Sequence, residues 1–384
     1  MEFDSLANGR KVVWVENEHL QIAMAHGGGH IAALRFPGMA ESANPFWQPP
    51  WSSLEPGNVT SAIVDRDYGG APEGRLLASI LGHSLALDLY GPASKEESAA
   101  GGVTHGQVGV LPWEWKSSGP ATLLGECRDT FAKLHFSRQL QLKGTGLLIE
   151  ERVENLCGWD RPIGWQQHVS LGLPFICEGF WARSNCDLGG THPDDFGAGA
   201  HLEPGVEARW PLAPRRDGGA CDYRIPLARD ITANDFSGFQ VSPSDEYGAF
   251  VAGNTQFAFA IFYLWPRKFF PWMGVWDEQN AREANPWAKR TSVRAYEFGV
   301  SPFPLGRRDM LAIPYFLNQP TYVMLPGGGT LWVRYVLGIF LRAPEAGDLT
   351  ITGNDAALIT AGREISRVVL PGKCESSKRP EMES

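Results

Sequence analysis

Three polar side chains stand where proton-transfer or metal chemistry could take place: His105 in a glycine-flanked turn, His168 inside an apolar run, and Glu297 directly after Tyr296. Acid–base catalysis needs a donor and an acceptor on opposite sides of a substrate, with pKa values near working pH. Histidine suits the donor, and a glutamate raised by aromatic neighbours suits the base. Two histidines and a carboxylate could also ligate a metal, but neither His105 nor His168 sits in an HxH, HxxE or HxD pair. A second pair of histidines brackets a glycine triplet, HGGGH at His26–His30. No GK[ST] follows it and no helix begins there, so a phosphate loop is disfavoured. No third ligand is near enough in sequence to complete a metal site.

The elements that must position these groups read mainly as strands. Trp165–Phe175 (WQQHVSLGLPF) sets Trp165, Gln167, Val169 and Leu171 against Gln166, His168 and Ser170. That period of two describes a strand with one apolar and one polar face. Two short strands are expected in KVVWVENEHLQIAMA, followed by Ile31–Phe36, Ser84–Leu89, Thr122–Cys127, Phe131–Leu142 and Leu147–Asn155. Later strands are expected at Gly248–Ala252, Phe257–Trp265, Ser292–Phe298 and Leu331–Leu341. Residues 41–75, rich in Pro, Trp, Ser and Gly, read as a long ordered loop of the kind that often carries function. A short helix is expected near Arg75–Leu81, and 177–245 reads as irregular. Asn354–Val368 reads as a helix capped by Asn354 or Asp355. Many strands and few helices predict an all-β antiparallel sandwich. No linker divides the 384 residues, so one domain over 1–384 is expected.

Composition narrows the ligand classes. Charged residues make up 20% of the chain and the net charge is −9, which argues against nucleic acid, bound mainly through Lys and Arg. Aromatics reach 11%, with 14 tryptophans. Several of these rings are expected to line a cleft, where flat apolar faces stack on sugars or bases. The six cysteines form no CxxC pair, and the first residues show no basic, then apolar, leader. The expectation is a cytoplasmic protein with free thiols and no membrane span, although Cys177 and Cys186 could pair after export.

The ordered set formed by Gly28–Phe36 (GGHIAALRF), the His105–Gly106 turn with Trp113 and Trp115 close behind, LLIEERVEN, the His168 strand, and Glu297 before Gly–Val–Ser–Pro–Phe–Pro resembles the aldose 1-epimerase (galactose mutarotase-like) superfamily. The resemblance spans about residues 12–340. It implies a large antiparallel β-supersandwich with few short helices, binding a small carbohydrate in a cleft on one sheet without a cofactor or metal. It also implies that His168 protonates the ring oxygen, Glu297 takes the proton from the anomeric hydroxyl, and His105 hydrogen-bonds the substrate. The sugar-binding arginine would be Arg66 or Arg75. The aspartate would be Asp277, with Asp222 behind it, and Trp276 and Gln167 would complete the substrate contacts. Val169 and Ser170 follow His168 where the familiar enzymes carry Pro and an aromatic residue. Three functions follow: an anomer-interconverting isomerase, a carbohydrate-binding protein without turnover, or a metal-dependent β-sandwich enzyme. A hexose-6-phosphate epimerase would need several cleft arginines, and Arg66, Arg75, Arg267 and Arg294 are scattered.

Overall fold

Alternating and wholly apolar runs pair into two antiparallel sheets in the computed structural model, which describes residues 3–6 and 8–380, the Glu41 side chain excepted. The larger sheet has 14 strands. At its centre lie, side by side, His83–Asp88, Arg161–Gly172, Ser292–Gly299, Trp272–Gln279 and Ala233–Val241. The smaller sheet has eight strands, with Thr330–Phe340 between Phe259–Pro266 and Gly146–Asn155 at its middle. The fold is the expected all-β antiparallel supersandwich.

Residues of period two divide between two apolar layers. Trp165, Val169, Leu171 and Phe298 point between the sheets, where they meet Ile149, Tyr263 and Leu337 of the smaller one. Each fully buried Leu or Val of that core contributes about 1.5–3 kcal/mol. A second cluster lies on the other face of the large sheet and joins Ala86, Phe236, Trp276 and Ala295 to Trp47, Trp51, Leu76, Leu77 and Ile80. The central strands are therefore buried on both faces, like the core strands of a layered protein.

The segment 41–81 roofs that second layer. It is a long connection as expected; the helix expected near Arg75–Leu81 lies at Glu73–Leu77, and an unexpected one, Ser61–Asp67, precedes it. Buried Arg10 ties it down, donating to Ser53 Oγ (2.8 Å), the Ser79 carbonyl (2.6 Å) and Glu55 Oε1 (2.9 Å).

Two sequence expectations fail. Asn354–Val368 is not a helix but the hairpin Asp355–Thr360 and Arg363–Val369. Its turn, Ala361–Gly362, takes positive φ at both residues (48° and 75°), the geometry a two-residue hairpin requires. Ala356, Leu358 and Val368 then cover the outer face of the smaller sheet, and tertiary packing overrides the helical spacing of Leu358, Ile359 and Ile365. The "irregular" 177–245 holds the strands Phe180–Ser184, Cys186–Thr191 and Ala233–Val241. Ala233–Val241 is buried along its whole length, so it shows no alternation to read.

Candidate functional site

Cross-strand register brings the chemistry together. His168 on Arg161–Gly172 lies directly opposite Glu297 on Ser292–Gly299. Both side chains point away from the inter-sheet core, and His168 Nε2 stands 3.2 Å from Glu297 Oε1. His105 arrives from a loop folded over the sheet, its ring centroid 5.2 Å from that of His168. His105 is held at φ 66° and Gly106 at φ 75°. A Cβ on Gly106 would meet the Leu87 carbonyl oxygen at 1.9 Å, so only glycine lets the turn press against His83–Asp88. The Leu87 amide donates to the His105 carbonyl (3.0 Å) and fixes the turn there.

The three groups line one cavity of about 350 Å³. Trp47, Leu76, Leu77 and Ile80 from the roof form one side, with Phe236, Trp276 and Trp287 on another. The rings brace each other: Trp47 stacks on Trp287 with centroids 6.2 Å apart, and Trp276 meets Trp287 edge-on at 6.0 Å. His168 tilts against Trp276 at 5.6 Å.

Two further groups orient the pair. The Tyr90 hydroxyl donates to Glu297 Oε2 at 2.7 Å. Its reach depends on Gly274, where a Cβ would stand 3.2 Å from the Tyr90 oxygen and 2.4 Å from the Phe236 ring. Ser170, two residues on and so on the same face as His168, places its Oγ 2.9 Å from His168 Nδ1. Gln166 supports the backbone beneath, donating to the Glu297 carbonyl (3.2 Å) and the Ser301 carbonyl (2.7 Å).

Burial decides the protonation states. It raises the Glu297 carboxyl to about 8, against a smaller downward pull from the Tyr90 hydrogen bond. It holds His168 well below the usual imidazole range, with His105 nearby adding to the effect. His105 falls to about 4, again through burial. Near neutral pH the pair holds one proton, and the cheaper arrangement in an apolar cavity is uncharged: Glu297 as the acid, His168 Nε2 as acceptor. The pair can release a proton at one atom and receive one at another without leaving a net buried charge.

No protein-family model and no curated protein sequence matches the chain. Solved structures do. A candidate aldose 1-epimerase from Klebsiella pneumoniae superposes with a TM-score of 0.61 at 14% identity, over 88% of this chain and 80% of that one. A galactose mutarotase-like protein from Clostridium acetobutylicum gives 0.57 at 11% identity, over 88% and 97%. A galactose mutarotase related enzyme from Lactobacillus acidophilus gives 0.56 at 12%, over 87% and 99%. The fold is galactose mutarotase-like.

On that fold, His105, His168, Glu297 and Trp276 converge and the other sequence candidates do not join them. Gln167 is one residue from His168 and therefore faces the opposite way, where it donates to Glu151 (2.7 Å) and bonds His83 (3.0 Å). Asp277, beside Trp276, also points to the inter-sheet side, held by Arg294 at 2.7 and 2.8 Å. Arg66 is exposed and paired with Asp67. Arg75 rides the helix Glu73–Leu77 but does not line the cavity. Asp222 binds Arg224. Trp113 packs against Trp115 in the inter-sheet core. His26 pairs with Glu55 at 3.3 Å, and His30 is buried; neither lines the cavity.

Sequence reasoning missed Tyr90, Trp47, Phe236, Trp287 and Arg282, which also lines the cavity, and placed Ser170 on the polar face without a role of its own. Ser170 carried a signal, since its two-residue offset puts it beside His168. Tyr90 carried none: only the tertiary fold sets it against a residue 207 positions away. Among the described residues, no group of three His, Cys, Asp or Glu side chains is placed to hold a metal ion. None of their helices is long and apolar enough to cross a membrane.

Proposed function

We propose that the chain is an isomerase of the aldose 1-epimerase type, which interconverts the anomers of a small carbohydrate at the His168–Glu297 pair. The observation that carries this is the His168–Glu297 pair, 3.2 Å apart, facing one cavity. Opening a cyclic hemiacetal requires one proton delivered to the ring oxygen and one removed from the anomeric hydroxyl, as the C1–O5 bond breaks and the C1–O1 double bond forms. Burial favours neutral histidine and protonated glutamate, so a proton first passes from Glu297 Oε1 to His168 Nε2 across the 3.2 Å between them. His168 as acid and Glu297 as base then complete the step and restore the neutral arrangement. That arrangement is also what ring closure needs: Glu297 returns a proton to the carbonyl oxygen and His168 takes one from the O5 hydroxyl. Rotation about C1–C2 between the two steps yields the other anomer. His105, neutral at working pH, would hydrogen-bond the sugar beside them. Positioned acid–base groups of this kind contribute about 10²–10⁴-fold.

The apolar walls favour a second reading, carbohydrate binding without turnover. Anomer exchange followed by NMR over a panel of aldoses separates the two. The isomerase should exceed buffer, and His168→Ala and Glu297→Ala should fall to the buffer rate while still binding sugar. A parent protein that binds sugar but never exceeds buffer would sink the isomerase proposal.

A further inference from the structure

The cavity is unevenly furnished. Its hydrogen-bonding groups gather at the His168 end: His105, His168, Glu297 and Thr104. Two of them keep a buried polar atom without a partner, His105 Nδ1 and Thr104 Oγ1. Apart from Glu73 and Arg282, which pair with each other, the rest of the wall is mainly carbon, chiefly Trp47, Trp276, Trp287, Phe236, Leu76 and Ile80. One ring face can stack on a sugar, but here rings and aliphatic chains close on the ligand from several sides. A fully hydroxylated hexose would bury hydroxyls against them unpaired, at about tenfold or more in affinity for each.

Charge narrows the ligand further. Among the described residues, Arg282 is the only Lys or Arg on the wall, and its guanidinium is already engaged. It donates to Glu73 at 2.8 Å, stands 3.3 Å from Glu278, donates to Asn234 at 3.3 Å, and lies 4.6 Å over the Trp287 ring. A phosphate or carboxylate brought there would meet two glutamates with one arginine. Arg66, Arg267 and Arg294 are committed elsewhere, to Asp67, the Asp245 carbonyl and Asp277.

We infer that the site takes a neutral, hydroxyl-poor cyclic hemiacetal, a multiply deoxygenated pyranose, with its O1–O5 edge at His168 and Glu297 and its carbon body among the rings. This rests on the isomerase proposal and names its substrate class.

The test compares glucose, glucose 6-phosphate, a 2,6-dideoxyhexose and a 2,3,6-trideoxyhexose. Anomer exchange is measured by NMR, and binding by tryptophan fluorescence. The expected result is a kcat/KM for the trideoxyhexose at least about tenfold above glucose, with glucose 6-phosphate below both. Glucose or its phosphate turning over as fast as the trideoxyhexose overturns the substrate class and leaves the isomerase standing. A trideoxyhexose that binds at least about tenfold tighter than glucose, with no exchange above buffer for any sugar, leaves the ligand class standing and overturns the isomerase. If the trideoxyhexose neither binds more tightly nor exchanges faster than glucose, the substrate class is wrong.

Discussion

Two fully buried glutamates lie on opposite sides of the His168 strand, and they are treated in opposite ways. Glu151, between the sheets, is saturated. It accepts from Arg138 Nε (2.8 Å), Trp165 Nε1 (3.0 Å) and Gln167 Nε2 (2.7 Å), and the Tyr335 hydroxyl stands at 2.8 Å. Burial is the largest single influence on the Arg138 guanidinium and lowers it, but Glu151, through charge and hydrogen bond, together with Tyr335 and Tyr263, outweighs it and the pKa rises. Glu297, on the cavity side, has one donor, Tyr90, and a neutral imidazole. Around the first carboxylate, donors replace water. The second lacks them, and burial raises it so that it keeps its proton. Scarcity of partners raises a buried carboxyl toward the pH range in which proton transfer is useful.

Substitution at the two sites should separate these roles. Glu297→Gln keeps the shape but cannot exchange a proton, and the anomer-exchange rate should fall by about 10²–10⁴ with the fold intact. Comparable exchange in this variant would break the contrast. Glu151→Gln should instead leave Arg138 as an uncompensated buried charge and cost about 3–5 kcal/mol in denaturant unfolding. A loss under about 1 kcal/mol would mean that the inter-sheet network is dispensable.

The pH dependence of stability sharpens the comparison. Glu297 binds its proton more tightly folded than unfolded, from an ordinary 4.5 up to about 8. Its contribution is therefore full below about pH 4.5 and is lost as pH rises toward 8. His168 and His105 are lowered, so theirs is full above about 6.5 and lost on acidification. Between pH 6.5 and 8 only the Glu297 loss operates among the three, on the order of 2 kcal/mol. The parent should lose stability relative to Glu297→Gln over that interval; parallel curves would show that the carboxyl is not raised.

The smallest effect is expected from Tyr90→Phe. The lost hydrogen bond is worth about 1 kcal/mol, or a few-fold in kcat/KM. Because that bond pulls the Glu297 pKa down, the alkaline limb of the kcat/KM profile should move upward. A rate loss with no movement of the limb would assign Tyr90 to packing alone.

Much of this site was legible in the sequence because it depends on local pattern. Strand periodicity placed His168 on the face opposite Trp165 and Val169, and the order of motifs pointed to His105 and Glu297 as its companions. The same periodicity already separates Gln167 from His168 and Asp277 from Trp276, since neighbours in a strand face opposite ways. The missed strand Ala233–Val241 and the misread hairpin Asp355–Val369 have a common cause. A strand buried on both faces has no alternation, and a short apolar spacing fits a helix or a hairpin until something covers it.

The chain alone thus determined the class of fold and the face of the strand that carries His168, both consequences of backbone geometry and solvent. Only the tertiary structure decided that His168 Nε2 stands 3.2 Å from Glu297 Oε1, that Tyr90 and Ser170 bond them, and that Arg66, Arg75 and Asp277 lie outside the cavity. Those outcomes depend on strand register and on how many donors reach a buried atom. Contacts spanning from 63 to more than 200 residues of sequence set both.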